Sequence, residues 1–467
     1  MSTPFPHPSD SQLPARPSAG SIEALAAELA AQDPALELLR QATDLARLSR
    51  DFHDYSPLLV PLLEGRSAQL VARAVTPQQV MLVAAACARH RVPLTPRGAG
   101  TGNYGQCVPL AGGVVLDLSG LRQVRQVDPH TGVVTVEAGC VLAALEEQLQ
   151  PHGRALRLLP STVRTATVGG FIAGGSGGLG SLLWGFLRDP GNLLGLEVVT
   201  LEPQPRLLCL DASASEPLNH AYGSNGILTA VRLATAAAVS WRSLVVGFDS
   251  WELALAAARE LPTTALLLQA LALLQAPVAA AMPWPEGCPK PAPGQHRLVL
   301  HAAPDTLEVL PGWLAARGGD WLWQAPSGPG RGLPLRELTW NHTTLHWRGQ
   351  HPDWTYLQMV LPQPVEPLLE AVRQRWGDSV LWHLEAVRQG GVPRLAALPL
   401  LRWSGAEDLV ALMEQCRELG AVLFNPHVVT CEDGGLGVID ADQVAAKRAY
   451  DPAGLLNPGK LRGWLER

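Results

Sequence analysis

The sequence predicts an α+β fold divided between two domains and a C-terminal segment that returns to the first of them. Short aliphatic and β-branched runs alternate with helical segments over the first half of the 467-residue chain. A glycine-rich loop follows one of these short runs. Of the fourteen tryptophans, only Trp184 lies in the first half, so the composition changes near residue 240.

These changes in composition predict four segments. Residues 1–20 are rich in proline and serine, which is typical of a disordered leader. Residues 21–240 form the first domain, residues 241–445 form the second, and residues 446–467 complete the first domain.

The first domain is expected to start with an Ala/Leu-rich helix over 21–50 that Ser21 caps. A strand at Ala68–Ala74 precedes a helix that Thr76 caps and that runs to about His90. The strand Val92–Thr95 then leads into the glycine loop. Further elements are expected in this order: strands at Val114–Leu118, Val124–Asp128 and Val133–Ala138, a helix at Val141–Gln150, and strands at Leu193–Leu201 and Arg206–Leu210.

Composition excludes several functional classes. A formal net charge of −6 gives no reason to expect nucleic acid or an anionic membrane as a partner. Seven scattered cysteines without a C-x-x-C pair indicate a reducing, cytoplasmic location. The most apolar stretch, Thr263–Met282, contains Gln269, Gln275 and Pro277, so it predicts a buried helix and a loop rather than an integral membrane segment.

The glycine loop is the most informative part of the chain. Gly98, Gly100, Gly102 and Gly105 lie within eight residues, directly after an apolar run that ends at Pro96. Because glycine adopts positive φ without a steric penalty, such a loop can direct several backbone N–H groups at one anion. The loop therefore predicts a pyrophosphate, and with it a nucleotide cofactor.

Two G-x-G-x-x-G matches, at 100–105 and 175–180, do not indicate a Rossmann dinucleotide site. That motif must follow a strand and open a helix. After Gly105, Pro109 and the pair Gly112-Gly113 prevent a helix, and a strand follows. The second match comes after a segment without strand character.

Five elements, in order, carry a resemblance to a known family. They are Pro96–Gly102, Pro160–Thr162 with Thr167–Gly170, Asn192–Val198, Gly223–Thr229, and Asp451-Pro452 with Leu456–Lys460. With them the chain resembles the FAD-linked oxidases and dehydrogenases that have a PCMH-type FAD-binding domain, the vanillyl-alcohol-oxidase superfamily. Within it, the chain is most similar to the glycolate and D-lactate dehydrogenase branch.

This resemblance implies a two-subdomain FAD-binding domain, an α+β cap domain that binds substrate, and a C-terminal segment beside the isoalloxazine. Asn457, which precedes Pro458, is expected to be extended and to leave its amide free for a ring edge. The residues that the resemblance assigns to FAD are Pro96, Arg97, Gly98, Ala99, Gly100, Thr101, Gly102, Pro160, Ser161, Thr162, Thr167, Gly169, Gly170, Gly226, Ile227, Asn457 and Lys460.

Two departures from the family pattern modify these expectations. Some relatives attach FAD through a histidine in or just after the glycine loop, but residues 98–106 contain none, which predicts noncovalent FAD. The metal-binding histidines around Gly-Asp-Gly-Asn of the glycolate and D-lactate branch are also missing, so no metal site is predicted.

Three polar clusters in the second domain offer candidate catalytic residues. His342 and His346 would share one face of a helix, at the spacing that metal-binding pairs use. The alternative is that both are structural histidines. His383 and Glu385 would share one face of a strand, either towards the flavin or on an exposed sheet face. His427, in an Asn-Pro-His turn, is the preferred proton acceptor.

A carboxylate anchor is a further requirement for a hydroxy-acid substrate. Arg348 or Arg388 could hold the carboxylate through a bidentate hydrogen-bond pair.

The leading hypothesis is an FAD-dependent dehydrogenase of a small hydroxy acid. A hydride would pass to flavin N5, and the reduced flavin would then pass its electrons to a redox partner protein or a quinone rather than to nicotinamide. Two alternatives remain: an alcohol, sugar or aldonolactone oxidase, and the flavin-carrying subunit of a larger dehydrogenase.

Overall fold

A computed structural model describes residues 5–175, 177–327, 334–435 and 437–466. The first sheet has four strands in the order β1-β2-β4-β3, in which β2, β4 and β3 are parallel and β1 is antiparallel. Its strands are β1 Glu37–Leu39, β2 Leu70–Arg73, β3 Leu94–Arg97 and β4 Val114–Asp117. Its helices are α1 Ala19–Gln32, α2 Ala42–Leu48, α3 Leu59–Leu63 and α4 Pro77–His90. As predicted, the Thr76 hydroxyl caps α4, accepting the N–H of Gln79.

The second sheet is antiparallel and follows in the chain. Its order is β5-β6-β10-β8-β9, and β7 pairs with the far end of β10. Its strands are β5 Val124–Asp128, β6 Val133–Glu137, β7 Arg154–Leu156, β8 Leu193–Val199, β9 Leu207–Asp211 and β10 Ile227–Ala237. The helices are α5 Leu142–Leu149, α6 Val168–Gly174, α7 Ser181–Trp184 and α8 Ala212–Ser215.

The cap contains an antiparallel eight-stranded sheet in the order β14-β11-β13-β12-β18-β19-β16-β21 and a small sheet in the order β15-β20-β17. The strands are β11 Arg242–Phe248, β12 Leu268–Leu274, β13 His296–Ala302, β14 Asp320–Pro326, β15 Trp354–Tyr356, β16 Gln358–Val360, β17 Val380–Leu381, β18 His383–Gln389, β19 Val392–Ala397, β20 Leu400–Arg402 and β21 Val422–Phe424. The helices are α9 Trp251–Glu260, α10 Ala276–Ala280, α11 Leu310–Ala315, α12 Asn341–Gln350, α13 Glu366–Trp376 and α14 Ala406–Glu418.

The C-terminal segment returns to the first sheet. The last cap strand is followed by α15 Cys431–Gly434, which belongs to the cap, and then by α16 Ala441–Tyr450 and α17 Arg462–Leu465. The Leu94 N–H donates to Leu455 O at 2.9 Å, and the Asn457 N–H donates to Leu94 O at 2.7 Å. The segment therefore lies along β3, the strand that leads into the glycine loop.

Two elements differ from their sequence-based expectation. The predicted helix over 21–50 is divided into α1, β1 and α2, and Ser18 rather than Ser21 caps α1. The apolar stretch 263–282, predicted as a buried helix and a loop, contains the buried strand β12 followed by the short helix α10, because a fully buried strand and a buried helix have similarly apolar sequences. No helix in the described ranges is long and apolar enough to cross a membrane.

Residues 5–18 contact the body of the protein, which differs from the disordered leader that the sequence predicts. Arg16 Nη1 donates to Ser67 O at 3.0 Å, and Gln69 Nε2 donates to Pro17 O at 2.8 Å. Leu13 packs on an apolar cluster that contains Leu59 and Leu110. Proline therefore limits regular structure here without preventing packing.

Candidate active site

One cavity of about 480 Å³ lies where the two sheets of the first domain and the cap meet. The first domain contributes the glycine loop, residues 160–175, Gly177 and residues 220–228, and the cap contributes residues 337–345, Gln358 and Phe424. The cavity is lined by these residues assigned to FAD: Pro96, Arg97, Gly98, Ala99, Gly100, Thr101, Gly102, Pro160, Ser161, Thr162, Thr167, Gly169, Gly170 and Gly226.

The glycine loop presents unpaired backbone donors to this cavity. Within the described ranges, the N–H groups of residues 98–102 donate to no protein acceptor. The loop also lies tightly against the start of α6, since a Cβ added at Gly98 would lie 2.1 Å from Thr167 Oγ1. Gly100 has a φ of 70°, which a larger residue rarely adopts. Such a cradle of free N–H groups fits a pyrophosphate.

The Arg97 guanidinium contacts the backbone of the glycine loop. Its Nη1 donates to Arg50 O at 2.5 Å and contacts Cys107 Sγ at 3.1 Å, and its Nη2 donates to Ala99 O at 3.2 Å. The guanidinium is therefore largely occupied in holding the loop backbone.

The C-terminal residues assigned to FAD lie behind the loop rather than in the cavity. Asn457 is not extended, because its φ is 39°, and the nitrogen of its side-chain amide is not free, although the amide oxygen Oδ1 forms no hydrogen bond with the described residues. Asn457 Nδ2 donates to Gln106 O at 2.8 Å and to Tyr222 O at 2.7 Å. Lys460 Nζ donates to Gly105 O at 2.6 Å, and burial lowers its pKa to about 8. Ile227, also outside the cavity lining, is a buried residue at the start of β10.

His427 lies away from the cavity, although the sequence makes it the preferred proton acceptor. Its Nδ1 accepts from Ser56 Oγ at 2.8 Å, and its Nε2 donates to Tyr356 O at 2.9 Å. Burial lowers its pKa to about 4. Both ring nitrogens are therefore engaged in joining the N-terminal region to the cap.

His383 and Glu385 share one face of β18, as the alternation predicts, but this face is neither exposed nor part of the cavity lining. The two side chains are 0 % and 1 % exposed. His383 Nε2 donates to Glu385 Oε1 at 2.8 Å. The pair lies behind Trp340, whose backbone N–H also donates to Glu385 Oε1 at 2.6 Å.

His342 alone among the four candidate catalytic residues lines the cavity. It lies in the first turn of α12, and its Nδ1 is 3.1 Å from Glu337 Oε2. His346 shares that helix face, as the spacing predicts, and its Nε2 donates to Glu337 O at 3.2 Å. No group of three or more potential metal ligands occurs in the described part of the chain.

Sequence reasoning missed Arg164 and Glu337, which complete this cluster. Arg164 Nε lies 3.1 Å from Glu337 Oε1, and the Arg164 side chain is 53 % exposed. Burial raises the pKa of Glu337, but the hydrogen bond from His342 and the charges of His342, Arg164 and Arg336 outweigh it, so this pKa is lowered. Arg164 lies between the two parts of one family-like element, Pro160–Thr162 and Thr167–Gly170, but no local pattern connects it to Glu337.

A second, uncharged polar group lines the cavity where the glycine loop meets the cap. Tyr104 Oη donates to Gln358 Oε1 at 2.9 Å, and Gln358 Nε2 donates to Asn341 Oδ1 at 3.3 Å.

The arginines expected to anchor a carboxylate lie elsewhere. Arg348 donates to Trp354 O, Arg388 donates to Leu182 O, and neither lines the cavity.

Comparisons with known proteins agree with this geometry. Residues 68–203 match the family described as "FAD binding domain". Glycolate oxidase subunit GlcD of Escherichia coli (strain K12) is 27 % identical over 424 residues, covering 84 % of this chain and 83 % of that protein. D-2-hydroxyglutarate dehydrogenase of Bos taurus is 30 % identical, but over only 36 % of this chain and 32 % of that protein. D-lactate dehydrogenase of Anaerostipes hadrus is 27 % identical over 39 % of this chain and 40 % of that protein.

The fold also has a solved counterpart. Alkyldihydroxyacetonephosphate synthase superposes with a TM-score of 0.71 at 15 % identity, covering 97 % of this chain and 88 % of the other. The predicted α+β fold with a PCMH-type FAD-binding domain is thereby confirmed. The chain is an FAD-dependent dehydrogenase or oxidase. Residues 68–203 match an FAD-binding domain, and the whole chain has the fold of the solved synthase.

Proposed function

We propose that the protein dehydrogenates a small hydroxy acid of the glycolate or D-lactate type, using noncovalent FAD and an electron acceptor other than nicotinamide. The observation that carries the proposal is that one cavity joins the unpaired N–H groups of the glycine loop to the cluster Arg164, Glu337 and His342. The relatives named for glycolate, D-lactate and D-2-hydroxyglutarate support the substrate class.

The first domain supplies the cofactor site. The N–H groups of residues 98–102 hold the pyrophosphate, and Gly169 and Gly170 allow close approach of a flat ring. No histidine stands in the loop, which supports a dissociable cofactor. When bound, FAD accepts a hydride from the substrate carbon.

Arg164 binds the substrate carboxylate in this proposal. Its guanidinium is partly exposed and can form a bidentate pair with a carboxylate. Glu337 is the carboxylate that Arg164 contacts without substrate. A hydroxy acid therefore replaces one ion pair with another instead of desolvating an isolated charge.

His342 accepts the hydroxyl proton. Because its Nδ1–H donates to Glu337 Oε2, its Nε2 carries the lone pair. Glu337 orients the ring and stabilises the imidazolium that forms, which is the role of the carboxylate in other His–carboxylate pairs.

Anaerobic bleaching of the flavin tests the proposal. FAD-loaded protein is mixed with glycolate, D-lactate or D-2-hydroxyglutarate, and the loss of visible absorbance is timed. We expect H342Q to slow reduction by about 100-fold. R164Q should raise the half-saturating acid concentration by about tenfold or more with a smaller effect on the limiting rate. The exposed H130Q is the control. If wild-type flavin stays oxidised with every 2-hydroxy acid, the proposal fails.

The uncharged array Tyr104, Gln358 and Asn341 favours one alternative, an oxidase of alcohols, sugars or aldonolactones. Phenol and amide groups match hydroxyls better than carboxylates. Rapid oxygen consumption with polyols, and none with hydroxy acids, would select this alternative.

A redox partner protein or a quinone is the proposed acceptor, and the cytoplasm is the proposed location. The relatives named as glycolate oxidase subunits support a partner protein. All seven cysteines are free in the structure, in agreement with a reducing compartment. Copurification of an iron–sulfur protein would identify the chain as one subunit of a larger dehydrogenase.

A further inference from the structure

We propose that Glu385, oriented by His383, is a positioning residue that fixes the cavity wall at Trp340 and His342. Glu385 Oε1 accepts two hydrogen bonds, from the Trp340 N–H at 2.6 Å and from His383 Nε2 at 2.8 Å. The side chains of His383 and Glu385 are buried on the central strand β18. The inference rests on the proposed function only for the role of His342.

The backbone of Trp340 is the part of the wall that needs support. It has a φ of 51° and a ψ of −141°, a combination that is costly for a residue with a Cβ. Such a conformation persists only where the surroundings hold it. The Glu385 carboxylate supplies that restraint through a charge-assisted hydrogen bond to the Trp340 N–H.

The restraint acts at a junction between two elements. Before Trp340 lies the 3₁₀ turn Leu335–Leu338, which carries Glu337, and after it begins α12 with His342. The Trp340 carbonyl accepts the Thr343 N–H at 3.1 Å, in the first turn of the helix. Fixing Trp340 therefore fixes the spacing between Glu337 and His342.

The indole of Trp340 extends the same restraint to the first domain. A Cβ added at Gly177 would lie 3.2 Å from Trp340 Cη2, so the ring approaches that segment closely. Trp340, Asn341 and His342 all line the cavity. A displaced Trp340 would thus change both the aromatic wall and the proposed proton acceptor.

The same geometry argues against a catalytic role for the pair. Neither His383 nor Glu385 is part of the cavity lining. The Glu385 oxygen nearest to Trp340 is already shared between two donors. The pair therefore acts through Trp340 and not on substrate.

Hydrogen–deuterium exchange on the full-length protein tests the inference without turnover. In E385L the Trp340 N–H loses its acceptor, and we expect the peptide covering 337–342 to exchange about tenfold faster than wild type. E385Q keeps an acceptor oxygen but loses the charge, so its exchange should lie between the two. The visible circular dichroism of FAD-loaded E385L should also change, because the cavity wall moves.

H301Q is the matched control. His301 is a buried histidine on β13 of the same sheet, and its Nδ1 bonds Ser327 Oγ instead of the cavity wall. The 337–342 peptide of H301Q should exchange as in wild type. Wild-type exchange and an unchanged flavin spectrum in E385L would overturn the inference. If E385L does not fold, wild-type exchange in E385Q overturns it.

The outcome separates this inference from the proposed function. Faster exchange in E385L, with no bleaching of wild-type flavin by any hydroxy acid, leaves the positioning role standing and removes the substrate assignment. Where bleaching occurs, E385Q should lower the limiting rate of reduction more than it changes the half-saturating concentration. If the role of Glu385 were purely structural, E385Q would lower the melting temperature without lowering the limiting rate more than it changes the half-saturating concentration.

Discussion

Hydrogen-bond partners decide the role of a polar residue in this protein more than its residue type does. His427 and His342 are both histidines near the ends of cap elements. His427 has both ring nitrogens engaged by Ser56 and Tyr356, whereas the His342 ring contacts Glu337 through Nδ1 and lines the cavity. The sequence favours His427 because it lies near the C-terminal flavin segment in the chain. Closeness in the sequence does not determine the direction of the imidazole ring.

Gly98→Ala tests the close contact between the glycine loop and the start of α6. The new Cβ would lie 2.1 Å from Thr167 Oγ1, so the loop backbone must shift away from α6. We expect FAD affinity to fall by about tenfold or more and the free energy of unfolding to fall by about 1–3 kcal/mol. Titration of apoprotein with FAD, followed by quenching of flavin fluorescence, measures the first effect.

Gly312→Ala is the control for this substitution. Gly312 lies in α11 with no atom within 4 Å of an added Cβ. Its FAD affinity should equal that of wild type. Equal affinities for both variants would contradict the proposed cradle.

At the scale of elements, the C-terminal segment acts as a clamp on the glycine loop. Asn457 joins Gln106 O to Tyr222 O, and Lys460 bonds Gly105 O. The segment thus connects two chain regions that line the cavity. Its own residues, 446–467, are not part of the lining. The resemblance indicated correctly that the segment returns to the first domain. It did not indicate that Asn457 Nδ2 and Lys460 Nζ donate hydrogen bonds to backbone carbonyls.

Asn457→Gly and Asn457→Ala together test the clamp. Both variants lose the two hydrogen bonds that the Asn457 side-chain amide donates. We expect each to lower the free energy of unfolding by about 1–3 kcal/mol and to weaken FAD binding. Alanine must also adopt the φ of 39°, which should cost about 1–2 kcal/mol more than glycine. Urea unfolding measures both differences. A wild-type FAD affinity in Asn457→Gly would show that the clamp does not support the loop.

At the scale of the whole molecule, the FAD-binding domain and the cap are joined by partly buried polar contacts around the cavity. Asn103 Nδ2 donates to Tyr356 Oη at 2.6 Å, and Arg388 Nε donates to Leu182 O at 3.0 Å. Desolvation lowers the pKa of His220, His301 and His427 to about 4; His301 and His427 are buried, and His220 is half-buried in the cavity wall.

These histidines predict that the protein loses stability in mild acid. Each remains neutral in the folded state until about pH 4, whereas it takes up a proton near pH 6.5 once unfolded. Their contribution to stability is present above pH 6.5 and is lost as the pH falls towards 4. We expect the free energy of unfolding to fall by roughly 2–6 kcal/mol between pH 7 and pH 5.

Urea unfolding at the two pH values checks this expectation. H301Q removes one of the three groups, so its stability should depend less steeply on pH than that of wild type. The exposed His7→Gln should keep the wild-type dependence. Identical pH dependence in H301Q and wild type would argue against burial as the cause.

The sequence by itself determined the fold class, the FAD cofactor and the residues of the glycine loop. These depend on local chemistry: glycines permit the loop, Thr76 and Thr167 cap helices, and alternation places His383 with Glu385 on one face. Only the tertiary structure decided which polar residues meet. Arg164, Glu337 and His342 come from a first-domain loop and two cap elements, and the pairing of distant segments leaves no local periodic signal. The apolar stretch 263–282 was ambiguous for the same reason, because pairing with β13 and β18 makes its residues 268–274 the strand β12.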